Sequence, residues 1–209
     1  MALSYNRIAG QSVERLAALS DGIFAVAMTL LVLDLHTPSR QKIHSEQDLW
    51  FALGAMGPQL VTCLMSFLTL TIFWNGQQTG FNRFARADHH VTWLNMAFLS
   101  AVSVLPFSTR LLAEFIGFRV ALLCYWVNIV VPGFLLYAIW QYARRNGLLR
   151  EDVTREVRCA VERRILVAQA LYAVGAALCL LNTYVSIGFI VLVQLNFAIA
   201  PRILRLNRF

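Results

Sequence analysis

The chain has 209 residues, 58% hydrophobic and 14% charged, with a formal net charge of +7. A soluble domain averages about half apolar and about a quarter charged, so the composition excludes a disordered chain, a disulfide scaffold and an ordinary soluble enzyme. It fits a membrane protein, since a bilayer core of about 30 Å takes roughly 20 apolar residues per helix.

Six apolar runs follow in order, and they predict an all-α membrane protein. The first covers Arg15–Leu35 and is closed by His36-Thr37-Pro38. It carries Asp21, and no cleavable leader is expected in it. The second covers Leu49–Trp74, with Gly57-Pro58 as a kink or late start. The third covers Val91–Phe115 and is interrupted by Pro106. The fourth covers Gly117–Tyr142 and contains Pro132-Gly133. The fifth, Ile165–Tyr184, meets the sixth, Val185–Leu204, with almost no loop, so a helical hairpin is expected. The whole chain, residues 1–209, reads as a single six-helix membrane domain. Within it, residues 143–164 read as an arginine-rich cytoplasmic linker or as helical extensions of the fourth and fifth runs.

Charge sets the direction. An even number of crossings places Arg7, Arg15, Arg83, Arg86, Arg144, Arg145, Arg150, Arg155, Arg158, Arg163, Arg164, Arg202, Arg205 and Arg208 on one side. Only Arg40, Lys42, Arg110 and Arg119 fall on the other. Cytoplasmic loops of membrane proteins are rich in Lys and Arg, so both termini are expected in the cytoplasm. The same topology explains the positive charge without nucleic acid as a partner.

Enzyme signatures are missing. The chain has no GxSxG, HExxH, P-loop or GxGxxG, so no catalytic residue is assigned. Cys63, Cys124, Cys159 and Cys179 form no CxxC, and His36, His44, His89 and His90 lack ligand spacing, so no metal site is assigned either. No run carries arginines at every third position, and TVGYG is absent, so neither a voltage sensor nor a carbonyl filter is expected. Gly76–Gly80 lies in a polar stretch, whereas Gly175-Ala176-Ala177 can admit close helix approach.

The first run carries the chemistry. At about 100° per residue, Val26, Thr29, Leu30 and Leu33 share one face, with Gly22 below them. Such a stripe is either packing or a pore lining. Asp21 points away from it, toward neighbouring helices near Trp74–Gln78 or Asn95. A carboxylate at that depth is costly without a partner or a function.

The segment Arg15-Leu-Ala-Ala-Leu-Ser20-Asp21, continuing as GIFAVAMTLLVLDLHTP, resembles the RxxxFSD first-helix signature of the bacterial transmembrane-protein-175-like potassium channels. SFLTLTIFWN and WLNMAFLSAVSVLPFSTRLL follow in the family's order, and the resemblance covers about the first 115 residues. Leu19 stands where the motif has Phe, and Asn75-Gly-Gln77-Gln78 stands where histidines are frequent. Amides there can still hydrogen-bond the Arg/Asp network but cannot titrate.

The resemblance implies a six-helix subunit in a homotetramer in the bacterial inner membrane. The pore would be lined by the first helices, with potassium as the permeant ion and no cofactor. It implies constriction residues at Val26, Thr29 and Leu33, with Gly22 and Leu30 on the same pore face. It also implies that Arg15, Ser20 and Asp21 form a network tying the first helix to its neighbours. Four apolar stripes can close a neck that resists wetting, and Thr29 would offer hydroxyl oxygens to a partly dehydrated cation. Asp34 has two readings, a cation-gathering outer mouth or a helix-end carboxylate in the interface. Two rival functions stay open: a proton- or cation-coupled secondary transporter centred on Asp21, and a non-conducting adaptor whose arginine-rich face binds anionic lipid. The chain lacks the internal repeat that many transporters show.

Overall fold

The computed structural model describes residues 12–40 and 43–198. Arg7, Lys42, Arg202, Arg205 and Arg208, and the end of the sixth run, lie outside the described residues. The helices are α1 Val13–Leu33, α2 Glu46–Ala55, α3 Gly57–Phe81, α4 His89–Ser103, α5 Leu105–Glu114, α6 Arg119–Arg145, α7 Arg155–Leu178 and α8 Thr183–Ala198. Among the described residues the one β feature is an isolated bridge between Phe84 and Leu149. Four helical spans are long and apolar enough to cross a membrane: Val13–Leu33, Gly57–Phe81, His89–Glu114 and Arg119–Arg145. The multi-pass helical architecture is thus present.

Local chemistry sets the boundaries. Ser12 caps α1 by accepting from the Arg15 N–H. The second run divides at Met56, where Gly57-Pro58 opens α3 with proline in its first turn. What precedes it is a separate short helix, α2, started by a capping box between Ser45 and Asp48. Past Trp74, α3 continues for two more turns, so Gln77 and Gln78 are helical. The third run breaks at Val104, and Pro106 lies in the first turn of α5. Pro132 lies inside α6 without ending it.

The arginine-rich stretch is mostly helix. Arg145 ends α6 and Thr154 caps α7, so the non-helical connection shrinks to residues 146–154. Helical extension, rather than a linker over 143–164, is what the chain adopts there. Gly147 takes a positive φ of 64°, which lets the Leu148 N–H return to the Ala143 carbonyl at 3.0 Å. The connection is pinned to the α3–α4 loop: Ala85 N–H donates to Leu148 O at 2.8 Å and Arg150 N–H to Arg83 O at 2.9 Å. This fastens two arginine-bearing loops to the same end of the bundle.

The hairpin between the fifth and sixth runs is present, with its turn at Cys179–Asn182, a few residues before the expected junction. Gly175 sits where a Cβ would come within 2.8 Å of Ile190 Cγ1, and Ser186 Oγ donates to its carbonyl at 2.6 Å. Close approach at a small residue is how helices associate in lipid, where tails are as apolar as Leu. The core joins Phe24 on α1, Phe73 on α3 and Phe98 on α4, with ring centroids 6.0 Å and 6.2 Å apart for the two pairs sharing Phe98.

Candidate functional site: the first helix and its exposed face

α1 presents two unlike faces. Leu16, Ser20, Phe24, Ala27 and Leu31 are buried against α3, α4 and α5. Gly22, Val26, Thr29, Leu30 and Leu33 are exposed, Val26 at 57% and Leu33 at 77%. An exposed apolar row beside a packed one is an unpartnered surface of the subunit. Thr29 interrupts it with the only polar side chain of the five, and its hydroxyl donates to the Val26 carbonyl at 2.8 Å. That bond spends the hydroxyl proton on the backbone and leaves the oxygen as an acceptor.

Ser20 and Asp21 are adjacent in sequence but enter different hydrogen-bond clusters. Ser20 Oγ donates to the Leu16 carbonyl at 2.7 Å and accepts from Gln77 Nε2 at 3.0 Å. Gln77 Nε2 also donates to Asn95 Oδ1 at 2.6 Å, and all three side chains are buried. Asp21 Oδ1 accepts from Trp74 Nε1 at 2.7 Å and from Gln78 Nε2 at 2.6 Å. Of the two neighbours named from the sequence, Asp21 meets Trp74–Gln78, while Asn95 joins the Ser20 cluster. Arg15 is exposed at the start of α1, and among the described residues its guanidinium joins neither cluster within the subunit. The helix geometry explains the split, since residues 20 and 21 are about 100° apart and face different neighbours.

Asp34 is half-buried and caps the C-terminus of α1, and its carbonyl meets His36 Nδ1 at 2.8 Å. It lines a cavity of about 30 Å³ with Gln59, Thr109, Arg110 and Glu114. Arg110 pairs with Glu114 at 3.0 Å. Among the described residues no His, Cys, Asp and Glu cluster could hold a metal ion.

Sequence reading missed a second polar cluster deeper in the subunit. Ser66 and Thr69 on α3, Thr109 on α5, Tyr125 on α6 and Gln194 on α8 meet through side-chain hydrogen bonds. Its one signal was the pair of small hydroxyl residues three apart inside an apolar run, a pattern that also serves ordinary helix packing.

Similarity to known proteins bears on this arrangement. The family model for "Endosomal/lysosomal potassium channel TMEM175" matches residues 15–106, from the motif arginine to the proline in the first turn of α5. A potassium channel of Streptomyces collinus is 35% identical over 139 residues, which is 65% of this chain and 66% of that one. A potassium channel of Chamaesiphon minutus is 30% identical over 189 residues, covering 88% of this chain and 93% of the relative. The chain belongs to the TMEM175 potassium channel family. The fold agrees: the crystal structure of a lysosomal potassium-selective channel TMEM175 homolog from Chamaesiphon minutus has a TM-score of 0.79 and 28% identity, covering 90% of this chain and 96% of that one. The TMEM175 match contains α1 with its exposed face and both clusters that anchor it, through Trp74, Gln77, Gln78 and Asn95.

Proposed function

We propose that this chain is a leak-type, potassium-selective channel formed by a homotetramer, conducting through a hydrophobic constriction lined by four copies of α1. Val26, Thr29 and Leu33 form successive rings at the neck, with Gly22 and Leu30 on the same face and Asp34 near the outer mouth. The observation that carries this reading is the exposed apolar face of α1, which a single subunit leaves without a partner. Membership of a channel family supports reading that face as a pore lining. Bare apolar rings resist wetting and so gate the path, while the outward acceptor oxygen of Thr29 replaces part of a cation's hydration.

The six crossings are α1, α3, the broken pair α4–α5, α6, α7 and α8. Both termini and the arginine-rich loops lie in the cytoplasm, and the membrane is the bacterial inner membrane; the positive-inside bias supports this. Ser20 and Asp21 fix the back of α1 to α3 and α4 so that its front face stays presented. Arg15 completes the motif at the subunit boundary rather than within the subunit. Potassium is the permeant ion, and no cofactor is required.

Cross-linking tests the assembly. Leu33→Cys in a background without Cys63, Cys124, Cys159 and Cys179 should form disulfide-linked dimers in membranes, and native mass spectrometry should give a tetramer. A monomer or dimer by mass, with no cross-link at Leu33, would remove α1 from the axis.

A further inference from the structure

α3 and α7 each pack against α6 and α8 but scarcely meet one another, which leaves a groove between them floored by the other two helices. Phe73 and Gly76 on α3 line it, with Arg164, Ile165 and Tyr172 on α7. The groove holds a cavity of about 70 Å³ and continues past Gly80. The Gly76–Gly80 spacing therefore faces open room rather than a packed helix. A Cβ at Gly80 would meet nothing within 4 Å, and one at Gly76 would meet only Leu136 of α6. Two residues turn a helix by about 200°, so Gly76 lies opposite Trp74 and Gln78, the residues that hold α1. The groove is thus on the side of α3 turned away from α1.

Its lining is apolar with a few polar groups. The Thr69 and Thr79 hydroxyls donate to carbonyls of their own helix. Three groups remain for a ligand. Arg164 is exposed and joins no ion pair among the described residues. The Gln169 amide sits where a Gly133 side chain would stand, and its Oε1 has no partner among the described residues. Tyr172 is 2% exposed, and its hydroxyl lacks a partner in hydrogen-bond geometry although Gln194 is close by. A buried hydroxyl without an acceptor is costly, so an occupant that accepts from it is favoured. Water alone fits poorly. The cavity has room for roughly five waters at about 10–15 Å³ each, and every one needs two or more polar partners. One deep donor and one deep acceptor satisfy far fewer.

We propose that the groove between α3 and α7 binds an anionic phospholipid, with its phosphate on Arg164, an ester carbonyl accepting from the Tyr172 hydroxyl, and an acyl chain against the apolar lining. Helical side chains lean toward the helix N-terminus, which brings the Tyr172 hydroxyl back toward Arg164 in the cavity that both line. The loops carrying Arg83, Arg86 and Arg150 are fastened at the same end, and their charge adds to the attraction for a lipid of net negative charge. A free phosphate would satisfy Arg164 and leave the apolar lining bare. A bound lipid joins α3 to α7, which otherwise hold one another only through α6 and α8, and so braces α3 from behind the residues that fasten α1. The inference rests on the chain spanning a membrane, not on where potassium crosses.

The test is native mass spectrometry of the purified full-length protein, stripped of lipid in detergent and titrated with phosphatidylglycerol, phosphatidylcholine or glycerol 3-phosphate. Wild type should retain phosphatidylglycerol on each subunit at concentrations where the other two leave it empty. Arg164→Gln should weaken that binding about fivefold, the effect of the roughly 1 kcal/mol that a basic residue contributes at an anionic lipid surface. Gly80→Leu places a side chain in the open room of the groove and should abolish retention, with the thermal stability of the lipid-free protein unchanged. If Gly80→Leu does not fold, Arg164→Gln decides. No lipid retained by wild type, equal retention of phosphatidylcholine, or glycerol 3-phosphate bound as well as phosphatidylglycerol would overturn the proposal. So would phosphatidylglycerol retention unchanged in either folded variant, which would put the lipid on the general arginine-rich surface.

Discussion

Trp74 on α3 donates its indole N–H to Asp21 on α1 at 2.7 Å, and Gln78, one turn further along α3, donates to the same carboxylate oxygen at 2.6 Å. Two donors converging on one carboxylate fix the rotation of α1 about its own axis. The opposite face of α1, with Val26 and Leu33, then points away from the subunit. A charge that would be costly in the membrane becomes the fastener that presents the exposed apolar face.

Removing that fastener should weaken the subunit before it changes ion choice. Asp21→Ala leaves the Trp74 and Gln78 donors without their acceptor and unpins α1 from α3. Thermal unfolding and tetramer retention in detergent should both fall, while the potassium-to-sodium ratio of any remaining flux stays as in wild type. A stable tetramer with altered selectivity would place Asp21 in the ion path instead.

Thr29→Val keeps the shape of the α1 face and deletes its one acceptor oxygen per subunit. Potassium conductance should drop on the order of tenfold, the effect of about 1.4 kcal/mol at the barrier. Single-channel recording checks this, and unchanged conductance would show that the Thr29 ring does not touch the ion.

Val26→Leu should act by size. Adding a methylene at each of four positions narrows an apolar ring, so conductance should fall and sodium leak should fall further. Equal conductance and selectivity in the variant would show that Val26 does not set the width of the neck.

Gly175→Val tests the α7–α8 hairpin. Even the first carbon of a side chain would come within 2.8 Å of Ile190 Cγ1, so overpacking should cost about 1–3 kcal/mol. Lower thermal stability without a change in ion selectivity is the expected pair of results, since the hairpin is remote from the α1 face.

Acid should loosen the start of α2. The Asp48 carboxylate accepts the His44 and Ser45 backbone N–H groups at 3.1 Å and 3.0 Å, and these bonds hold its carboxyl below the usual value of 3.8. A lowered folded-state value means the stabilisation is present above the ordinary carboxylate range and is lost as pH falls through the folded value. Hydrogen exchange at the first turn of α2 should therefore quicken only below about pH 4, and Asp48→Asn should remove that dependence.

Much of this was legible from local signals. Gly57-Pro58 and Pro106 mark breaks because proline removes a helix donor, and both breaks are present. The 3.6-residue period separated the faces of α1 and turned Asp21 toward Trp74–Gln78. Other features had no local signal. Cys179–Asn182 turns within an apolar stretch without Gly or Pro, so the hairpin junction could be expected but not placed. Arg155 begins α7 ten residues before hydropathy rises, because a capped, charged helix end does not need lipid. The parting of Ser20 and Asp21 into separate clusters, and the cluster joining Thr109 to Thr69, depend on tertiary partners that no single segment reveals.

The central claim is that potassium crosses between four α1 helices. The most direct measurement is potassium-versus-sodium flux from purified protein in liposomes, with Leu33→Ala run beside wild type. The account predicts potassium-selective flux that changes in rate or selectivity when Leu33, the most exposed apolar residue of the α1 face, is cut back to Ala. Selective flux identical in the two proteins would move the pore off α1, and no passive potassium flux under any gradient would contradict a channel.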